Sequence, residues 1–137
     1  MPSVNAAELN EKLKAPKRPL VVDVRQPEEF RTGHITSAKL IPLGELSRRM
    51  KDLPKDKEIV CVCATGSRSR SATKMLLRAG YNAINMKGGM MSWSGNGFTT
   101  KCKNQKLRSL YFGVFDSYNL RNLCDLRIMV PPLHNHG

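Results

Sequence analysis

A chain of 137 residues has room for one domain with a proper core, but not for two of ordinary size. Its composition, 40% hydrophobic and 25% charged, excludes a fibrous or wholly disordered chain and fits a globular one. The 23 basic and 11 acidic side chains leave a net charge of +12, which attracts anions and acidic surfaces. No aromatic residues interleave along a basic stripe, so nucleic acid is not an expected partner. The first ten residues lack the basic start and apolar core of a signal peptide, and no stretch is long enough to span a membrane. The expected location is therefore cytoplasmic, with the four cysteines reduced.

Asn5 followed three residues later by Glu8 has the form of a capping box, and Ala6, Leu9 and Leu13 recur at helical spacing until Pro16 and Pro19. Leu20-Val21-Val22-Asp23-Val24 is a continuous apolar run with one carboxylate, the pattern of a strand buried on both faces of a parallel sheet. A carboxylate at a strand end next to Arg25 is more often a structural ion pair than a general base, and Asp23 is expected to form one. Pro27-Glu28-Glu29-Phe30 begins a short helix that Gly33 ends, and His34 after it is expected to be a satisfied structural group. Lys39-Leu40-Ile41 predicts a short strand closed by Pro42, and Leu43 to Met50 a helix with Leu43, Leu46 and Met50 on one face.

The chain is organised around Ile59-Val60-Cys61-Val62-Cys63-Ala64-Thr65-Gly66-Ser67-Arg68-Ser69-Arg70-Ser71. An apolar β-branched strand passes through small residues into a helix carrying Ala72, Met75, Leu76 and Ala79 and closed by Gly80. Such a junction directs backbone N–H groups and the positive end of a helix dipole into one small volume, at whose opening Cys63 is expected to lie with a lowered pKa. Arg68 and Arg70 stand in the first helical turn, where a cation is disfavoured. An anion bound in the loop would reconcile both positive features. Ala83 to Met86 predicts a last strand before Gly88-Gly89-Met90-Met91-Ser92-Trp93. Strands alternating with helices point to an α/β fold whose parallel sheet is covered on both faces, with the ligand at the carboxyl ends of the strands.

Asp23-Val24-Arg25, Glu29-Phe30, Gly33-His34-Ile35, Ala38 and Ile41-Pro42 resemble the first signature of single-domain rhodaneses, the thiosulfate sulfurtransferases. Cys63-Ala64-Thr65-Gly66-Ser67-Arg68-Ser69 resembles their active-site loop, and Gly88-Gly89-Met90 with Trp93 their closing signature. The resemblance covers residues 1–101 and implies a rhodanese-like catalytic domain there, with a sheet of about five parallel strands that includes Ser3-Val4. It implies that the Cys63 thiolate takes the outer sulfur of thiosulfate or a similar donor as a persulfide. Cyanide, a small thiol or a protein thiol would then accept that sulfur. Ala64, Thr65, Gly66, Ser67 and Ser69 would cradle the sulfur and Arg68 would orient the anionic donor. Asp23, Arg25, Glu29, His34 and Trp93 would support the scaffold, with no metal or organic cofactor.

Two rivals are weaker. Cysteine phosphatases and arsenate reductases of related architecture place five residues between Cys and Arg, whereas four residues, Ala64 to Ser67, separate Cys63 from Arg68. A rhodanese-like binding or persulfide-relay module without thiosulfate turnover is the other, against which the retained Cys63 speaks. Cys61 and Cys63 on an extended strand would have Cα atoms about 6.6 Å apart, near the limit for a disulfide, so Cys61 is expected to be a buried thiol. Residues 102–137 form a basic extension in which Leu107, Leu110, Tyr111, Val114 and Tyr118 predict one amphipathic helix, with partial disorder as the alternative. Cys102, Cys124, His134 and His136 lie there at spacings that match no zinc pattern. Of the basic and acidic side chains, 18 and 9 belong to residues 1–101, so the charge resides mainly in the domain with the proposed anion site.

Overall fold

A computed structural model of the chain describes residues 1–101. The helix expected between Leu107 and Tyr118, and the cysteines and histidines beyond residue 101, lie outside the described residues.

Five strands, β1 (Ser3–Val4), β2 (Leu20–Asp23), β3 (Lys39–Leu40), β4 (Glu58–Val62) and β5 (Asn82–Met86), form one sheet in the order β1-β5-β4-β2-β3. Every pairing is parallel. Five helices connect or follow them: α1 (Ala6–Lys12), α2 (Pro27–Thr32), α3 (Leu43–Arg49), α4 (Ser67–Arg78) and α5 (Gly89–Gly95). The α1 start is the expected capping box, with the Glu8 N–H donating to Asn5 Oδ1 and the Asn5 N–H to Glu8 Oε1, both at 2.8 Å. The helix read as Leu43 to Met50 ends at Arg49, where a single 3₁₀ turn, Met50–Asp52, takes over. Helix α5, which hydrophobic periodicity does not predict, forms at the glycine signature.

Residue parity on β4 decides what each face of the sheet sees. Ile59, Cys61 and Cys63 point to one side, where Leu46 of α3 and Ala72 and Leu76 of α4 cover them. Val60 and Val62 point to the other, against Ala6 and Leu9 of α1 and Met90 and Trp93 of α5. Both faces are therefore dry, which is why β2 and β4 read as unbroken apolar runs rather than alternating ones. Strand β4 is flanked by β5 and β2, so its carboxyl end, where Cys63 follows, lies mid-sheet between two supporting strands.

Leu76 has no exposed surface and packs on the Cys63 side of the sheet. Leu76→Ala is expected to lower unfolding free energy by about 2–5 kcal/mol through lost burial and the cavity left behind. Urea denaturation followed by far-ultraviolet circular dichroism measures it; a loss well under that range would mean that α4 is not anchored here.

Candidate active site

The loop between β4 and α4 closes on itself around the sulfur of Cys63. The N–H of Gly66 donates to Cys63 Sγ at 3.0 Å, and Gly66 holds φ +107°, a conformation that favours glycine. Thr65 and Ser67 are exposed on the outer side of the loop, their hydroxyls 3.5 Å apart, while Ala64 and Gly66 are half-buried. Cys63 itself has no exposed surface, although the sequence placed it where the volume opens. The tight turn over its sulfur is the reason: the N–H groups that would hold a second sulfur already fold down onto the first.

Burial pushes the Cys63 thiol up, but the Ser69 hydroxyl and the backbone N–H groups of Ser69, Gly66 and Thr65 outweigh it, so the pKa lies below the ordinary thiol value. Cys61, two residues earlier on the same side of the sheet, lacks such a cradle. Burial drives it up to about 11, against some relief from Thr73, and it is the buried thiol that was expected. The two neighbouring thiols are thus shifted in opposite directions.

Ser69 is fully buried and has a single proton to give. Its hydroxyl donates to Asn85 Oδ1 at 2.5 Å, and Asn85 Nδ2 donates to the Gly66 carbonyl at 3.4 Å. An ionised Cys63 competes with Asn85 for that proton. Asn85 on β5 thus ties the α4 end of the loop to the sheet, a role that a polar residue inside an apolar strand run hints at but that no local pattern assigns.

Helix α5 holds the loop from beneath. The N–H of Met90 donates to the Cys63 carbonyl at 2.7 Å and that of Met91 to the Ala64 carbonyl at 3.0 Å. A Cβ on Gly89 would lie 2.4 Å from the Ala64 carbonyl carbon and oxygen, and Gly89 has φ +59°. Contact this close requires glycine. Trp93, buried in the same helix, donates from Nε1 to the Thr99 carbonyl at 3.0 Å.

Two carboxylates at this end of the sheet, Asp23 and Glu29, are each paired with an arginine. Asp23 accepts from Arg25 Nε at 2.9 Å and Nη2 at 2.8 Å, and Nη2 also reaches the Gly33 carbonyl at 2.8 Å. That buried pair joins the end of β2 to the turn after α2, as expected of a structural ion pair. His34 Nδ1 lies 2.7 Å from the Phe30 carbonyl, and its ring stacks on Phe30 at 3.6 Å. Arg68 lies at the start of α4 and donates from Nη1 to Glu29 Oε1 at 2.8 Å and from Nη2 to Oε2 at 2.9 Å. Arg68 is thus paired with a carboxylate of the same protein. The Arg68 hydrogen bond holds the Glu29 carboxyl down to about 2, so it is ionised at every ordinary pH, and Glu29 in turn raises the Arg68 pKa.

A rhodanese-like domain model matches residues 5–96. The chain belongs to the rhodanese-like domain family. Its relatives include the Bacillus subtilis (strain 168) protein YtwF, 40% identical over 101 residues that cover 74% of this chain and 95% of YtwF. An Allochromatium vinosum protein named sulfurtransferase is 33% identical over 95 residues, covering 69% of this chain and 89% of its own. The crystal structure of a rhodanese-related protein from Thermoplasma volcanium superposes with a TM-score of 0.71 at 37% identity, over 75% of this chain and all of that one. The α/β architecture and five-stranded parallel sheet expected from the signatures are those of this rhodanese-like domain. No helix among the described residues is long and apolar enough to cross a membrane.

The cradle of this rhodanese-like domain makes a spectroscopic prediction. The difference in ultraviolet thiolate absorbance between the protein and a Cys63→Ser variant, followed against pH, is expected to rise with a midpoint below the 9.0 of an ordinary thiol. Ser69→Ala, which removes the hydroxyl and keeps the backbone N–H groups, is expected to move that midpoint upward. An unmoved midpoint would assign the lowered pKa to the backbone alone.

Proposed function

We propose that the protein is a sulfurtransferase that carries sulfane sulfur as a persulfide on Cys63. The observation that carries this reading is a thiol of lowered pKa enclosed by the N–H groups of a short loop, on a chain of the rhodanese-like family. A sulfurtransferase name among its relatives supports the same chemistry.

The steps follow from the arrangement. With thiosulfate as donor, the Cys63 thiolate attacks the outer sulfur, a new S–S bond forms, and the donor S–S bond breaks with its electron pair leaving on sulfite. The persulfide retains one negative charge, on its terminal sulfur. Backbone N–H groups from Ala64 to Ser69 would then face that sulfur and stabilise its negative charge. Cyanide or a thiolate next attacks the terminal sulfur, leaves as thiocyanate or a persulfide, and returns Cys63 to its thiolate. Because the thiol is covered in the resting loop, the loop widens to admit the second sulfur. Asp23, Arg25, His34 and Trp93 hold the loop's surroundings and do not touch the reacting atoms. The catalytic unit is residues 1–101, and a reducing compartment such as the cytoplasm keeps Cys63 free.

Incubation of the reduced protein with thiosulfate, followed by intact-mass measurement and peptide mapping, is expected to show a gain of one sulfur atom on Cys63 that cyanide or a thiol removes. Cys63→Ser is expected to show no gain and no turnover. A Cys63→Ser variant that remains fully active would overturn the mechanism.

A further inference from the structure

The Glu29–Arg68 pair stands where the family resemblance placed a donor-binding cation. Its two side chains are 35% and 36% exposed, so it borders solvent, unlike the buried Asp23–Arg25 pair, and Arg68 is near enough to Cys63 for the two to interact electrostatically. Both oxygens of the Glu29 carboxylate are engaged by the two terminal nitrogens of Arg68, and Oε1 also accepts from the Gln26 N–H at 3.1 Å. The guanidinium fork can offer that bidentate face to one acceptor at a time.

We propose that Glu29 sets the donor class of this site. By occupying Arg68 it withdraws the cation that a sulfonate-bearing donor needs, and it matches the loop to persulfide donors in preference to thiosulfate. The inference rests on the sulfur-transfer reading above.

Charge accounting supports it. Asp23, Arg25, Glu29 and Arg68 sum to zero, so positive character close to the sulfur comes from loop N–H groups and the start of α4. Arg70 and Lys87 are exposed, where water and salt weaken them. Dipoles gathered around one sulfur suit a donor whose charge lies on the sulfur being transferred. Thiosulfate instead brings two negative charges, and its three oxygens would meet the Glu29 carboxylate unless Arg68 exchanged partners. That exchange would leave Glu29 without its bidentate partner and with the Gln26 N–H still donating to it.

A persulfide donor avoids the conflict. The Cys63 thiolate attacks the terminal sulfur of R–S–S⁻, forming the Cys63 S–S bond while the donor S–S bond breaks and R–S⁻ leaves. Two negative charges enter and two depart, one on the leaving thiolate and one on the new persulfide. The thiosulfate reaction sends out a sulfite dianion in addition to the persulfide anion, and this is the larger charge that a free Arg68 would stabilise.

The test is the rate at which Cys63 gains sulfur, read by intact mass, with thiosulfate and with cysteine persulfide as separate donors. Glu29→Gln frees Arg68, and the ratio of thiosulfate to persulfide loading rates is expected to rise about tenfold, the scale of one charge-assisted hydrogen bond. A ratio unchanged within about twofold would overturn the proposal. The paired variant Glu29→Gln with Arg68→Gln leaves no unpaired charge and serves if the single variant does not fold. Its ratio is expected to stay within about twofold of the unmodified protein, whereas a fall of about tenfold would show that Arg68 binds the sulfonate despite Glu29 and would overturn the proposal. Absence of loading from both donors in the unmodified protein would overturn the sulfur-transfer reading and this inference with it; loading with no change of ratio would overturn this inference alone.

Discussion

The hydrogen bond from the Met90 N–H to the Cys63 carbonyl is the contact on which the rest of the site depends. Strand β4 ends at Val62, so the Cys63 carbonyl has left the sheet ladder and must find a donor elsewhere. The first turn of α5 supplies one there and another to Ala64, which sets the direction in which the chain enters the loop. Gly89 makes the approach possible, since any side chain would occupy the space of the Ala64 carbonyl. The cradle of N–H groups above Cys63 is thus shaped from below, by residues more than twenty positions further along the chain.

Local signals were legible where physics acts locally. The α1 capping box, the apolar runs of β2 and β4, the strand-loop-helix junction at Cys63 and the Gly80 stop after α4 each follow from neighbours in sequence. Helix α5 was not legible, because Gly-Met-Met-Ser-Trp-Ser-Gly has glycine at both ends and no clear polar face. Its existence depends on docking Met90 and Trp93 against the sheet. Ser3-Val4 is too short to declare itself, and becomes β1 through pairing with Asn85 and Met86. The Arg68 partner was equally hidden, since Glu29 lies 39 positions earlier and only the closed fold brings the two together. What the sequence did reveal about Arg68 was its place in a first helical turn, where a cation is disfavoured.

The site draws its positive character from groups that do not titrate. Arg25 and Arg68 are matched by Asp23 and Glu29, and Glu29 stays ionised down to about 2, so these four side-chain charges are fixed in cancelling pairs. Backbone dipoles and one serine hydroxyl remain to lower the Cys63 pKa. Such a field is short in range and directed at one atom. The same economy separates Cys63 from Cys61, which differ by two residues and by opposite directions of pKa shift.

Docking of α5 also has a meaning in time. Synthesis delivers β4 and the Cys63 loop before β5 and Gly89, so for some twenty-five residues of elongation the nucleophile exists without Asn85 behind Ser69 or Met90 beneath its carbonyl. In that interval the loop lacks both of those supports. The groups that lower the Cys63 pKa lie within residues 65–69 and follow it at once, but the hydrogen bonds that tie the loop to β5 and α5 wait for those elements. The frame around Cys63 is therefore completed from the later part of the chain.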